Sequence, residues 1–528
     1  MKTRPISIIV FCLFCYLLAA CQSSSDEPTA DWWEEAVFYE IFVRSFYDSD
    51  CDGIGDFNGI TEKLDYLEEL GVTALWLMPI FPSTSYHGYD VVNYFNVNPE
   101  FGTMADFQNL VEETQKRNIR IIIDLVINHS SYEHPWFLDA VSSPDSEVRD
   151  WYLWSDVYPG YNGPMGTAWH SSDTGYYYGA FFYQQPDLNY TNPEVTAKMQ
   201  EISAFWLNEI GVDGFRVDGA RHLIEEGQKQ DNTESTHNWF REYYQFYKNE
   251  NPQAYTVGEI SGASAFIAKT YTGDQFDHVF NFDIAYGFIN SANNGSKQAA
   301  TTAINFTLKD LPDGNYATFL TNHDQNRVMN TLGGDVNKAK VAASLLLTAQ
   351  GTPYLYYGEE IGMLGKKPDE DIRRPMWWSA EPNAGFSCPA AEPWRPPLED
   401  HTQTNVAQQQ GDGTSLLSHY QRLIGIRKSH PALSTGLTTI IETNDNQLYS
   451  VLRTTPGEQV LVVINLGTEP IDLYTLSVEQ SPLSRGKYQP NGLMGEFDGS
   501  IQADEEGGFT LEVDTSIQPY ETLIIELN

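Results

Sequence analysis

Four short segments carry the residue types from which a bond-breaking site could be built. One runs Asp124-Leu125-Val126-Ile127-Asn128-His129. A second, Gly214-Phe215-Arg216-Val217-Asp218, continues through Gly219-Ala220-Arg221-His222. The third ends Val257-Gly258-Glu259, and the fourth reads Phe319-Leu320-Thr321-Asn322-His323-Asp324. If all four end at one mouth, the carboxylates Asp218, Glu259 and Asp324 meet there with Arg216, His129 and His323. Like charges at short range push proton affinities apart, so one carboxyl stays protonated while another is ionised. An acid beside an anion is what cleaving a glycosidic bond requires. Taken singly, an aspartate at a strand end is more often a cap or an ion-pair partner. Four such segments in this order argue for a built site. Arg216 lies two residues before Asp218, so in a strand both point to the same face. A guanidinium there holds the carboxylate ionised and fixes its angle.

These segments close apolar runs, and the runs define the elements that must position them. Eight occur, at 36–43, 74–77, 119–126, 214–217, 254–258, 279–282, 317–320 and 354–357, with helical patterns such as 60–70, 104–117, 193–210, 238–249 and 338–348 between them. Strands alternating with helices predict parallel βαβ units, and eight of them predict an α/β fold of the closed (β/α)8 TIM-barrel type. Catalytic groups of such barrels sit at the C-terminal ends of the strands. The interval between the third and fourth runs is too long for a loop, and residues 130–190 are rich in Tyr, Gly, Ser, Asp and Trp. They are read as a small inserted domain, which divides the barrel into 32–129 and 191–432. Beyond a helix near 416–429 the pattern alternates, so 433–528 is read as a C-terminal antiparallel β-sandwich.

Composition narrows the partners. The 528 residues carry 31 Lys+Arg against 72 Asp+Glu, a net charge of −41. Such a surface repels phosphate backbones, so no nucleic-acid partner is expected. Aromatics at 13% with abundant carboxylates suit a neutral ligand and hard cations. The N-terminus is basic through Lys2 and Arg4, then apolar over 8–20, too short for a membrane span. It closes Leu18-Ala19-Ala20-Cys21 and passes into a polar linker, 22–31. This resembles a bacterial lipoprotein signal, with residues 1–21 as signal and lipobox and Cys21 as the lipidated anchor. Gln22 after the cysteine favours the outer membrane; the alternative is ordinary secretion past an incidental cysteine. An exported, lipid-anchored monomer is the expectation. Only Cys51 and Cys388 then remain, which excludes a disulfide framework; they could form one bridge, but nothing in the sequence brings them together.

The four segments, with Gly71-Val72-Thr73-Ala74-Leu75-Trp76-Leu77-Met78-Pro79, Gln185-Pro186-Asp187-Leu188-Asn189 and Gly351-Thr352-Pro353-Tyr354-Leu355-Tyr356-Tyr357-Gly358-Glu359-Glu360, resemble the α-amylase family of glycoside hydrolases. The resemblance implies Asp218 as nucleophile, Glu259 as general acid/base and Asp324 as transition-state stabiliser. It assigns Arg216 to the nucleophile, His129 and His323 to hydroxyls of the sugar at the cleaved bond, and Tyr89 to stacking on that sugar. The segment 185–189 is similar to that of oligosaccharide α-glucosidases and α-1,6-glucosidases. Those relatives close their pocket with an acid where this chain has Tyr86, and Arg221-His222 is similar to the pair of true α-amylases. The expected substrate is an α-glucan polysaccharide or oligosaccharide cut internally, the alternative being an exo-acting or transglycosylating relative. A non-catalytic binding protein on the same fold would have lost its acids.

A structural calcium is also expected. Asp48-Ser49-Asp50-Cys51-Asp52-Gly53-Ile54-Gly55-Asp56 spaces hard oxygen ligands around a glycine turn, as does the first half of an EF-hand loop, although Gly59 stands where an EF-hand needs glutamate. The family resemblance implies Asp48, Asp50, Asp52, Asp56 and the Ile54 carbonyl as ligands; a soft thiol adds nothing for calcium, so Cys51 is read as a bystander there. It also implies a second, weaker site at Asn128, Asp187 and the His222 backbone.

Overall fold

All eight apolar runs become strands, and the strands close on themselves. A computed structural model describes residues 31–528; the expected signal, Cys21 and nearly all of the 22–31 linker lie outside the described residues. Among the described residues no helix is long and apolar enough to cross a membrane. Strands β1 (Phe38–Ile41), β2 (Ala74–Leu77), β3 (Arg120–Leu125), β4 (Gly214–Val217), β5 (Tyr255–Gly258), β6 (His278–Phe280), β7 (Tyr316–Phe319) and β8 (Thr352–Tyr356) form one closed parallel barrel. β8 returns to β1 with Phe38 opposite Tyr354. Every strand residue except Arg120 is buried. Burial on both faces explains why these runs read as continuous apolar stretches rather than alternating ones.

The two-residue period still sorts the side chains. Phe38, Trp76, Ile122, Tyr255, Val257, Phe280, Phe319 and Tyr354 cluster together, while their neighbours Tyr39, Leu75, Ile121, Ile123 and Phe215 join the larger core with the helices. The inner cluster is aromatic, with Phe38 and Tyr354 stacked at 4.3 Å and Trp33 stacked on Tyr255 at its lower end. Continuing the same alternation upward brings Glu40, Asp124 and Arg216, all buried, into the topmost layer. A polar platform thus rests on an apolar plug.

The helices follow their own signals. Met104–Lys116 opens with a Thr103–Asp106 capping box and buries Phe107, Leu110, Val111 and Thr114. The 60–70 pattern is two helices, Phe57–Glu62 and Leu64–Leu70, meeting at Lys63, and 193–210 is a helix that ends in a π turn. Two helices beyond those expected, Phe282–Asn294 and Gln298–Asp310, fill the β6–β7 connection. They meet through small residues, with Gly287 against Ala303, so their contact face lacks the large apolar residues that would announce it.

Between β3 and β4 lies a three-stranded antiparallel sheet (Trp154–Ser155, Gly175–Tyr178, Trp169–Ser172) with a small hairpin. It is tied to the barrel where His129 bridges Asp187 and the Leu188 amide donates to the Asn128 carbonyl at 2.9 Å. After the helix Leu416–Ser429 the chain forms a five-stranded and a three-stranded antiparallel sheet. Leu448, Leu452, Leu461 and Ile525 of the larger sheet share a core with Tyr474, Leu476 and Val513 of the smaller. One possibility that the sequence left open is realised. Cys51 and Cys388 form a disulfide, their Cα atoms 5.5 Å apart across 337 residues of sequence. Cys51, which offers nothing to a hard cation, is a fastener instead; the fold brings a loop after β1 against a segment after β8, a proximity that no local pattern encodes.

Candidate active site

The backbones of the two central carboxylates are pinned by the strand ladder itself. The Asp218 amide donates to Leu125 O at 3.3 Å and the Glu259 amide to Val217 O at 3.0 Å, so each residue sits one step beyond its strand and is still bonded to the neighbouring strand. Gly219 then turns the chain at φ 54°, a left-handed conformation that glycine adopts without cost, and its amide donates to Glu259 Oε2 at 3.1 Å.

Arg216 is the hub. Its guanidinium is buried and reaches Asp218 at 2.6 Å, Glu259 at 2.9 Å and Asp124 at 2.8 Å. One positive charge faces three carboxyl groups, so the cluster cannot be neutral with all three ionised. Burial pushes Asp124 up to about 7 against the pull of Arg216, and burial with the charges of Asp218 and Asp324 raises Glu259 despite the same arginine. The donors say where the proton goes. Asp124 accepts from Arg216, from the Tyr89 hydroxyl at 2.9 Å and from the Trp76 indole at 3.3 Å, all of which favour its anion. Glu259 accepts only Arg216 and the Gly219 amide. Glu259 is the better place for a proton.

Asp324 is the opposite case. Burial would raise it, but His323, Arg373 and Arg216 outweigh that and bring it down to about 2. His323 Nε2 lies 3.4 Å from it and Arg373 3.0 Å, while half of its side-chain surface remains open to the mouth. His323 is itself held by Glu40, with Nδ1 2.5 Å from the carboxylate, and by the Tyr89 hydroxyl at 2.8 Å. Burial works against its cation, but Asp324 and Glu40 more than compensate, so its proton affinity rises. Tyr89 also stacks on the His323 ring, 5.6 Å between centroids. His129, kept neutral by burial, makes a 2.9 Å contact with the Tyr89 carbonyl.

The structure therefore gathers Asp218, Glu259, Asp324, Arg216, His129, His323 and Tyr89 around one opening. Arg221 and His222 stand to the side. Arg221 is committed to Ser261 O and Asp231, and His222 contacts Gln230 O at 3.0 Å, its ring packed on Phe181. Asp124, Glu40, Trp76 and Arg373 belong to the site and carried no role in the sequence. Glu40 and Trp76 were legible as inward positions of β1 and β2. Arg373 follows a short helix in the long segment after β8, where no periodicity points inward. Asp90 is a further organiser, since the hydroxyls of Ser83, Thr84 and Ser85 all converge on its carboxylate and so shape the loop that carries Tyr86 and Tyr89.

The metal-ligand candidates divide. Asp48, Asp50 and Asp56 bring carboxylate oxygens within 4.8 Å of one another, a donor set suited to a hard cation. Asp52 is not in that group; it is exposed and accepts the Ile54 amide at 2.8 Å, closing a local turn instead. Gly53, at φ 93°, packs against the Glu392 carbonyl so closely that any Cβ would clash. At the second set, Asn128 Oδ1 and Asp187 Oδ2 are buried without a hydrogen-bond partner, and so is Glu225 Oε1, a residue the sequence did not suggest. Three orphaned oxygens of this kind fit a cation.

Comparison with known proteins identifies the family. The family described as alpha amylase, catalytic domain, matches residues 40–436. Alpha-amylase 3 of Dictyoglomus thermophilum is 40% identical, covering 86% of this chain and 89% of that protein. An oligo-1,6-glucosidase of Parageobacillus thermoglucosidasius is 34% identical, covering 82% and 90%. The crystal structure of an alpha-amylase from H. orenii superposes with a TM-score of 0.80 at 39% identity, over 93% of this chain and 99% of that one.

Proposed function

Since the chain belongs to the alpha-amylase family of glycoside hydrolases, we propose that it is a retaining, endo-acting α-1,4-glucan hydrolase that degrades starch-type polymers and maltooligosaccharides. Asp218 attacks the anomeric carbon and forms a glycosyl-aspartate, while Glu259 gives its proton to the departing oxygen. Glu259, now a base, takes a proton from water, whose oxygen displaces Asp218 and restores the starting configuration. Arg216 carries this reading. Two carboxyl groups gripped by one guanidinium are held close, as a double displacement needs, whereas inversion needs room for a water between them. Asp324, anionic and open to the mouth, faces the charge that develops on the sugar.

Internal cleavage is favoured by Tyr86. It stacks on Trp394 at 5.3 Å and offers no carboxylate to bind the end of a chain, so the wall there extends a cleft. The oligo-1,6-glucosidase relative keeps the exo-acting reading in view. A calcium ion held by Asp48, Asp50, Asp56 and the Ile54 carbonyl, and another by Asn128, Asp187 and Glu225 with the His222 backbone, would be structural and take no part in bond cleavage. Lipidation of Cys21 would place the enzyme on the outer membrane, and palmitate labelling that a Cys21→Ser substitution abolishes would establish it. The activity is tested on amylose, with protein lacking residues 1–21 and Asp218→Asn as control. Collapse of iodine colour while few reducing ends have formed is the expected result; persistent colour with accumulating glucose would overturn it.

A further inference from the structure

The segment 386–394 is fastened to the acidic loop 48–56 at several points. Besides the Cys51–Cys388 disulfide, the Asp48 amide donates to Phe386 O at 2.9 Å, Ser387 Oγ donates to the Asp48 carboxylate at 2.5 Å, and the Trp394 amide donates to Gly53 O at 3.0 Å. The segment ends at Trp394. Its indole N–H donates to Ser45 Oγ at 2.9 Å, and the edge of Phe42 meets its ring at 5.8 Å. A face of the indole stacks on Tyr86, with 21° between the planes. The Arg373 guanidinium, which also holds Asp324, lies 5.8 Å from the Tyr86 ring. Beyond Tyr86 opens a cleft of about 520 Å³ lined by Ser83, Thr84, Ser85, Glu100 and Glu133. The hydroxyls of Ser83, Thr84 and Ser85 are turned to Asp90 and Glu100 is paired with Arg44, which leaves the Glu133 carboxylate as the edge group for a neutral sugar whose apolar face stacks on the ring.

We propose that Trp394 is a positioning residue for substrate: clamped by the Cys51–Cys388 disulfide, it holds Tyr86 at the angle at which that ring carries a glucose unit beyond the one being cleaved. This rests on the reading of Tyr86 as a cleft wall. The disulfide then has a role in specificity as well as stability, because it fixes the far end of the segment that supplies the indole. Maltotriose can be cleaved in a register that leaves this wall empty, whereas maltoheptaose has units to spare and covers it.

The experiment compares kcat and KM for maltotriose and maltoheptaose in wild type, Trp394→Ala, Trp394→Phe and the Cys51→Ser/Cys388→Ser pair. Loss of one aromatic platform should raise KM for maltoheptaose about tenfold in Trp394→Ala, with kcat and the maltotriose constants within about twofold. Trp394→Phe should recover most of the loss, and the cysteine pair should show the same split more weakly. Should Trp394→Ala not fold, the phenylalanine and cysteine variants carry the test. Equal losses on both substrates, or a fall in kcat at constant KM, would show Trp394 to be structural only and overturn the proposal. Wild type that releases only glucose from maltoheptaose overturns the cleft reading as well. Internal cleavage by wild type with an unmoved ratio in every variant overturns the proposal alone.

Discussion

Asp124→Asn isolates the electrostatics of the site from its shape. Asp124 is fully buried beneath Arg216, so an isosteric amide keeps the shape of the platform, at the cost of turning its NH2 toward one of the donors from which Asp124 now accepts. It does remove the Asp124 carboxylate, one of the three carboxyl groups that share the Arg216 charge. The whole guanidinium charge then falls on Asp218 and Glu259, which stabilises their anions and lowers the proton affinity that burial gives Glu259. With an effective dielectric of ~20, a unit charge about 6 Å away across one guanidinium is worth ~2.8 kcal/mol, or about two pH units, and relaxation around the amide reduces this to about one. Hydrolysis needs Glu259 protonated, so activity is lost as pH rises through its pKa. A lower pKa moves that alkaline limb toward acid. The assay is kcat/KM against pH on a chromogenic maltooligosaccharide, because this ratio reports groups of the free enzyme. We expect the alkaline limb to move down by about one unit with KM little changed. An unmoved limb, or one that moves up, would refute the sharing of one guanidinium charge among three carboxyls.

Three further outcomes follow from the same structure. Glu259→Gln should cut kcat/KM, which reports formation of the glycosyl-enzyme, by about 10²–10⁴, and far less when the leaving group is a nitrophenolate that needs no proton; equal losses in kcat/KM on both substrates would deny Glu259 the acid's role. Chelation should lower the thermal midpoint, calcium should restore it, and Asp50→Asn should remove most of the difference; at a hundredfold excess over Kd a bound ion is worth about 2.7 kcal/mol. His278, buried beside the Tyr255 hydroxyl, has its pKa lowered to about 3 by burial, against about 6.5 unfolded. Its contribution to stability is therefore complete above that unfolded value and is lost as pH falls toward 3, at about 1.4 kcal/mol per pH unit. His278→Gln should flatten the dependence of unfolding free energy on pH by that slope between pH 6 and 4, and denaturant midpoints at several pH values would show whether it does.

What the sequence reveals of this molecule, and what it hides, has a physical pattern. The barrel is legible because each strand is a local apolar run bounded by turn residues, and because parallel strands need no alternation to be recognised. The central carboxylates are legible because a barrel places the ends of distant strands together by rule, so Asp218 and Glu259 need no contact information to be brought to one mouth. Glu40 and Asp124 are half legible. Their inward direction follows from the two-residue period, but a buried acid at a strand end reads equally as an ion-pair partner. Arg373, Glu225 and the Cys51–Cys388 bridge are not legible at all. Each lies in an irregular segment, and irregular chain has no period from which a direction could be read; its course is fixed by what it touches. Those segments are also where specificity has to be decided. The strand ends supply carboxyl groups whatever the substrate, so a preference for one glucan over another must come from walls such as Tyr86 and Trp394, and these are set by the loops that sequence pattern leaves undetermined. The chemistry of this chain is written in its periodic part and its preference in the aperiodic part, which is why the bond to be broken could be argued from the strand ends while the length of glucan it prefers has to be argued from a tryptophan outside every motif, held by a disulfide that spans 337 residues of sequence.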